Sequence, residues 1–210
     1  MNRSRRPSFV VMAILRLAHS ADAPTLASIY GHYVATTPIS FEATPPTASE
    51  MVRRLTAVKP HAPWLVCERA GSVCGYAYLS KHHERAAYAW SVDSAVYVAN
   101  EQRGRGVGRA LYTALFALAE LQGFYAVHAG ISLPNTASVG LHEAFGFRRI
   151  ATYPKVGFKL GAWHDVGWWQ LELRARVGEP AAPKSPDTVS GLFSREWTAA
   201  LEAGTRLLDG

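Results

Sequence analysis

The sequence predicts an α/β protein of the α+β kind, with one mixed sheet covered by helices. Short β-branched segments alternate with amphipathic helical ones along the chain. One strand, ending Val96-Tyr97-Val98, runs into the glycine- and arginine-rich turn Gln102-Arg103-Gly104-Arg105-Gly106-Val107-Gly108-Arg109, and an apolar-periodic helix starts at once. The chain has 210 residues, 49% of them hydrophobic, which suits one domain plus tails.

Residues 13–17 read as a short strand. Asp22 and Pro24 mark a helix start, after which Leu26, Ile29, Tyr30, Tyr33 and Val34 keep helical spacing. Thr47 with Glu50 makes a capping box before the stripe Met51, Leu55, Val58. Trp64 to Glu68 and Val73 to Leu79 form a hairpin. A two-residue Ala70-Gly71 loop puts Cys67 opposite Cys74. A directly opposed cross-strand disulfide tends to be strained, so both are expected as reduced packing residues. Tyr88 to Val98 reads as one long strand. The helix after the turn shows Val107, Leu111, Leu115 and Leu118 on one face and ends at Gly123. Ala126 to Ser132 is a strand, and Asn135 caps a short helix carrying Leu141 and Phe145 that Gly146 closes. Arg149 to Phe158 and Val166 to Leu173 complete the sheet. The domain is placed at residues 12–175. A proline-containing linker at 176–189 and an amphipathic helix at 190–210 follow, the helix expected to pack on its own domain through Phe193, Trp197 and Leu201. Residues 1–11 are expected to be a disordered or upstream extension, with Met12 a second possible start.

The formal net charge of +6 is local. Arg3, Arg5, Arg6 and Arg16 have no acid among them, and three more arginines lie in the turn. A nucleic-acid face needs a basic stripe across the folded domain, and the pattern shows none. No run of about 18 apolar residues exists, so no membrane span is expected. Arg16 and His19 interrupt the apolar stretch that imitates a signal peptide, so the expected location is the cytoplasm. Two cysteines without suitable histidine spacing do not make a zinc site. His82-His83 reads as a solvated loop pair, and no metal is expected.

The turn is built for a phosphate, because helix N-termini offer free N–H groups and glycines allow close approach. It lacks the Gly-Lys-Ser/Thr of a P-loop. Reading from Gly104 or Gly106 also fails the dinucleotide fingerprint, since Arg109 and Leu111 stand where Gly or Ala is needed. A third reading is a pyrophosphate cradle for coenzyme A, beside that of a glycine-rich turn between strand and helix with no ligand. Gln/Arg-x-x-Gly-x-Gly/Ala between a strand and a helix resembles the acyl-CoA signature of the GNAT N-acetyltransferase superfamily.

Further motifs resemble the phosphinothricin and methionine sulfoximine N-acetyltransferases. They are Thr37-Pro38-Ile39-Ser40-Phe41-Glu42, Pro63-Trp64-Leu65-Val66, the run Ala87 to Val98, Leu133-Pro134-Asn135, Leu141-His142-Glu143 and Gly161-Ala162-Trp163-His164-Asp165. The resemblance spans about residues 13–173, with the C-terminal extension outside it. It implies a mostly antiparallel seven-stranded sheet flanked by four helices, a homodimer, and direct acetyl transfer from acetyl-CoA to the α-amino group of an amino-acid-like small molecule.

The resemblance also assigns roles. Asp93 stands where the family usually has a glutamate base; it is one methylene shorter, which favours a bridging water. His142 lies at the edge of the acetyl-CoA groove as base, relay or orienter. Val96, Val98, Arg103, Gly104, Arg105, Gly106, Val107, Gly108, Arg109 and Asn135 are expected to hold the cofactor. Phe41, Glu42 and Tyr88 are expected to line the acceptor pocket, and Arg85 to pair with a substrate carboxylate. Two other readings fit the same residues. One is an acetyltransferase for a peptide N-terminus or polyamine; the other is a non-catalytic acyl-CoA-binding module.

Overall fold

The computed structural model describes residues 13–208; the expectations for residues 1–11 and for a start at Met12 fall outside them. The strands are β1 Ala13–Leu17, β2 Trp64–Arg69, β3 Ser72–Lys81, β4 Ser91–Val98, β5 Ala126–Leu133, β6 Arg148–Lys159 and β7 Ala162–Glu172. They form one seven-stranded sheet in the order β1-β2-β3-β4-β5-β7-β6. Every neighbouring pair is antiparallel except β4 with β5. The helices are α1 Ala23–Thr36, α2 Ala48–Val58, α3 Val107–Gln122, α4 Thr136–Ala144, α5 Pro186–Leu192 and α6 Ser194–Arg206.

Strand alternation sends side chains to two cores. Leu65, Leu79, Val92 and Val127 meet Leu111 and Leu115 of α3 on one face. Trp64, Val66 and Tyr76 meet Leu26, Tyr30 and Met51 of α1 and α2 on the other. Asp93, next to Val92, therefore faces the α1–α2 side, while Ser94 faces α3.

Several local readings change. A bulge separates Cys67↔Gly75 from Glu68↔Val73, so Cys74 is the extra residue rather than the partner of Cys67. The two sulfurs lie 3.5 Å apart, both free and buried. The strand read from Tyr88 begins at Ser91, because β3 offers no ladder partner beyond Lys81↔Val92; Ala86–Tyr88 close instead into a 3-10 turn. Thr47 caps α2 by accepting from the Glu50 N–H at 3.2 Å. The Glu50 carboxylate turns to Arg53 and Arg54 rather than back to the cap. Ser185 caps α5 and Pro186 opens it, so regular structure resumes inside the segment read as linker, and the C-terminal segment forms two helices.

Helix α6 packs on α3 and β1 of its own chain. At Gly204 a Cβ would collide with Leu15 and with the Ala110 carbonyl, so only glycine permits this approach. The Leu15 N–H donates to Thr205 Oγ1 at 3.1 Å. Among the described residues no helix is long and apolar enough to cross a membrane.

Candidate active site

β4 and β5 pair only at Ser91↔Ala126, Val92↔Val127 and Asp93↔His128. Beyond that rung each follows its other neighbour, β4 with β3 and β5 with β7, and a cleft opens between them. The Ala99 N–H donates to the Cys74 carbonyl of β3 at 2.9 Å. Period two then turns the backbone polar groups of Val96 and Val98 into the cleft. The Val98 carbonyl accepts from the Tyr33 hydroxyl at 2.6 Å. A groove of about 360 Å³ continues from Val96 and Val98 between the 102–109 turn and Asn135–Leu141.

The turn is shaped by Gly104 at φ 73° and Gly106 at φ 79°, left-handed conformations that favour glycine. The first helical bond runs from the Ala110 N–H to the Gly106 carbonyl. The N–H groups of Val107, Gly108 and Arg109 are left without helical acceptors, at the positive end of the α3 dipole. A Cβ at Gly108 would come 3.3 Å from Leu141, so α3 and the Leu141 side chain of α4 pack closely there. Arg105 and Arg109 are exposed, and Arg103 lies over the Tyr33 ring at 5.5 Å. Free N–H groups at a helix N-terminus with arginines beside them suit an anion of the diphosphate kind. Asn135 Oδ1 caps α4 by accepting from the Ser138 N–H at 3.1 Å, which leaves its amide N–H groups for the groove.

On the α3 face of the cleft, His142 is buried on α4. Its Nδ1 lies 2.7 Å from the Ser138 carbonyl, which only accepts, so Nδ1 carries the proton. Burial holds His142 below the ordinary imidazole range, which keeps it neutral. Nε2 then accepts from the Tyr112 hydroxyl at 3.1 Å, and that hydroxyl lies 3.4 Å from Ser94 Oγ.

The opposite face carries a second cluster at the closed end of the cleft. Asp93 Oδ1 lies 2.7 Å from His82 Nδ1. The His82 ring stacks on His128 with centroids 4.2 Å apart and planes 17° apart, and Tyr88 meets its edge at 6.0 Å. Burial raises the Asp93 carboxyl, and the bond from His82 opposes the rise; burial lowers His128. The ligand atoms of His82, Asp93 and His128 lie within 4.8 Å of one another. Parallel stacked rings, however, send their nitrogen lone pairs along parallel planes, so the side chains as they stand do not converge on one ion. His82 is half-buried and bonded to Asp93, which corrects its reading as part of a solvated loop pair.

The expected acceptor residues are only partly gathered. Tyr88 borders the His82 cluster. Phe41 rests on Gly157 of β6, where any Cβ would strike its ring, and lies 6.3 Å from His164. Glu42 does not point freely into a pocket. Arg54 grips both its oxygens at 2.7 and 2.9 Å and the Tyr30 hydroxyl donates at 2.8 Å, and these bonds hold its carboxyl below the usual range against the opposing effect of burial. Arg85 is exposed on the β3–β4 loop and has no ion-pair partner among the described residues.

The Acetyltransferase (GNAT) family matches residues 26–147. Phosphinothricin N-acetyltransferase of Streptomyces viridochromogenes is 40% identical over 188 residues, 90% of this chain and 99% of its own length. The chain belongs to the GNAT acetyltransferase family. L-methionine sulfoximine/L-methionine sulfone acetyltransferase of Pseudomonas aeruginosa is 36% identical, covering 77% of this chain and 95% of that protein. The crystal structure of a GNAT superfamily phosphinothricin acetyltransferase from Sinorhizobium meliloti in complex with AcCoA superposes with TM-score 0.79 at 33% identity, covering 84% of this chain and 97% of that one. A match over 90% of the chain runs past residue 173, so the C-terminal segment is not wholly outside the resemblance.

Within this GNAT domain three polar groups of the cleft, Tyr112, Ser94 and His128, escape the sequence reading, and His82 reads there only as a loop residue. Tyr112 falls off the Val107–Leu111–Leu115 stripe, and His128 alternates with the apolar Val127 and Ala129. Both signals are in the sequence, but a strand's second face acquires meaning only once its neighbours are known.

Proposed function

We propose that this protein transfers the acetyl group of acetyl-CoA to the α-amino group of an amino-acid-like small molecule, phosphinothricin, methionine sulfoximine or a relative, by direct attack within a ternary complex. The observation that carries the reading is the β4–β5 cleft. A diphosphate cradle lies at one end of the groove leading into it, and a carboxylate–histidine cluster lies at its closed end. The names of the relatives support the acceptor class. So do three buried polar atoms without partners along the acceptor side, His128 Nδ1, Ser132 Oγ and Trp168 Nε1, which suit a polar ligand rather than an apolar one.

In this reading the turn's free N–H groups and Arg103, Arg105 and Arg109 bind the diphosphate, while Val98 and Asn135 bind the pantetheine arm. The Val96 N–H, nearer the Asp93 end, faces the thioester oxygen as it gains charge. Asp93, with His82 bonded to it, stands on the amine side. Tyr112 and His142 form the polar patch on the opposite face, toward the leaving sulfur. Arg85 holds the acceptor carboxylate, and Phe41 and Tyr88 flank it.

The reading extends to a homodimer acting in the cytoplasm. Phe158, Leu160 and Trp163 at the β6–β7 turn are 60–62% exposed, an apolar patch at the sheet edge that suits a second copy. The direct test mixes purified protein with acetyl-CoA and each candidate acceptor and follows free thiol. Thiol release with phosphinothricin or methionine sulfoximine is the expected result. Turnover of peptides or polyamines alone would move the acceptor assignment, and binding of acetyl-CoA without any turnover would remove the catalytic one.

A further inference from the structure

We infer that His82, held by Asp93, is the group that takes the proton from the acceptor's ammonium. This deepens the acetyltransferase reading and rests on it. An aspartate carboxylate only accepts hydrogen bonds, so the 2.7 Å contact fixes the proton on His82 Nδ1. The neutral ring then has its lone pair on Nε2, the arrangement in which a carboxylate holds an imidazole as a base. Aspartate is one methylene shorter than glutamate, and the His82 imidazole extends outward from the same carboxylate.

The surroundings fit this role. Asp93↔His128 is the last rung before the cleft opens, so the cluster lies at its closed end. On the same face of β5, Gly130 lines the cleft and supports Trp168, whose ring lies 6.1 Å from His82. His128 stacks flat on His82 and fixes its plane. Being buried with Nδ1 unpartnered, His128 stays neutral and places no second cation against the ring. The titratable groups facing His82 are Asp93 on β4, His128 on β5, and His83 and Tyr88 on the connection between β3 and β4.

The step balances. His82 Nε2 takes one proton from the ammonium, and the freed nitrogen pair forms the C–N bond at the thioester carbon. The C–S bond then breaks, the second amine proton goes to the leaving thiolate, and His82 returns its proton to solvent. Asp93 does not touch the amine; it is a positioning residue.

The test compares wild-type protein with His82→Asn, which keeps a donor toward Asp93 but has no base, with His82→Ala, and with Asp93→Asn. For His82→Asn we expect kcat at pH 7 to fall about 100-fold with the acetyl-CoA KM nearly unchanged, the low end of general-base effects. The deficit should shrink as pH rises past about 8, where α-amino groups lose their own proton. Added imidazole should restore part of the His82→Ala activity, and Asp93→Asn should show a smaller loss with the same pH trend. A His82→Asn enzyme equal to wild type, or equally slow at every pH with no imidazole rescue of His82→Ala, would overturn the inference while leaving the acetyltransferase reading intact. Activity lost to a chelator and restored by Zn²⁺ would assign the cluster to a metal and overturn it too. A wild-type protein that releases no thiol from acetyl-CoA with any acceptor would overturn both.

Discussion

At the scale of single residues, the cleft divides its polar groups between two faces of one sheet. Neighbours in sequence, Asp93 and Ser94, point to opposite sides, Asp93 to His82 and Ser94 to Tyr112. The sulfur side gives a simple expectation. Tyr112→Phe removes the hydroxyl between His142 Nε2 and Ser94 Oγ but keeps the ring that packs on Phe116 at 4.6 Å. Turnover should fall about tenfold, the worth of one well-placed hydrogen bond, with thermal stability lowered only slightly; steady-state kinetics and a melting curve check both. The positions of Asp93, Asn135 and the 102–109 turn along the cleft were legible because each combines an unusual residue type with a strong local motif. His82 and His128 were not, because their partners come from different strands. For Glu42 the sequence does not show Arg54 and Tyr30 closing on its carboxylate, because they come from two separate helices.

At the scale of elements, the cofactor turn is held from below by the C-terminal segment. Leu207 carbonyl lies 3.5 Å from where a Cβ on Gly106 would sit, and Arg69 reaches the carbonyls of both Arg105 and Leu208 at 3.4 Å. Gly204 allows α6 to approach α3 closely enough for this. Gly204→Val should force the helices apart and cost about 1–3 kcal/mol, the usual range for overpacking. Acetyl-CoA affinity should weaken alongside; calorimetry and a binding titration test the coupling. Stability loss with unchanged affinity would separate α6 from the turn. The acceptor side has its own brace. Lys159 Nζ donates to the carbonyls of Val34 and Ser40 at 2.6 Å, pinning the segment after α1 to β6 beside Phe41. Helix periodicity and caps located α1 to α4 from sequence. Strand ends and the Cys74 bulge were missed because ladder partners, not local preference, set them.

At the scale of the whole molecule, one sheet brings two binding functions together. Its parallel pair splits and opens a cleft, while β7 and β6 extend the sheet to one edge and end in an exposed apolar turn. If that turn joins two copies, Trp163→Glu should shift the mass measured by light scattering from dimer toward monomer, because a charge would be buried unpaired; a wild-type protein that is monomeric at all concentrations contradicts the dimer. The most direct test of the account remains chemical. Purified protein given acetyl-CoA and phosphinothricin or methionine sulfoximine should release one thiol for each acetylated amine formed, and none when the acceptor is omitted. Tight acetyl-CoA binding with no thiol released by any amino-acid acceptor would contradict it.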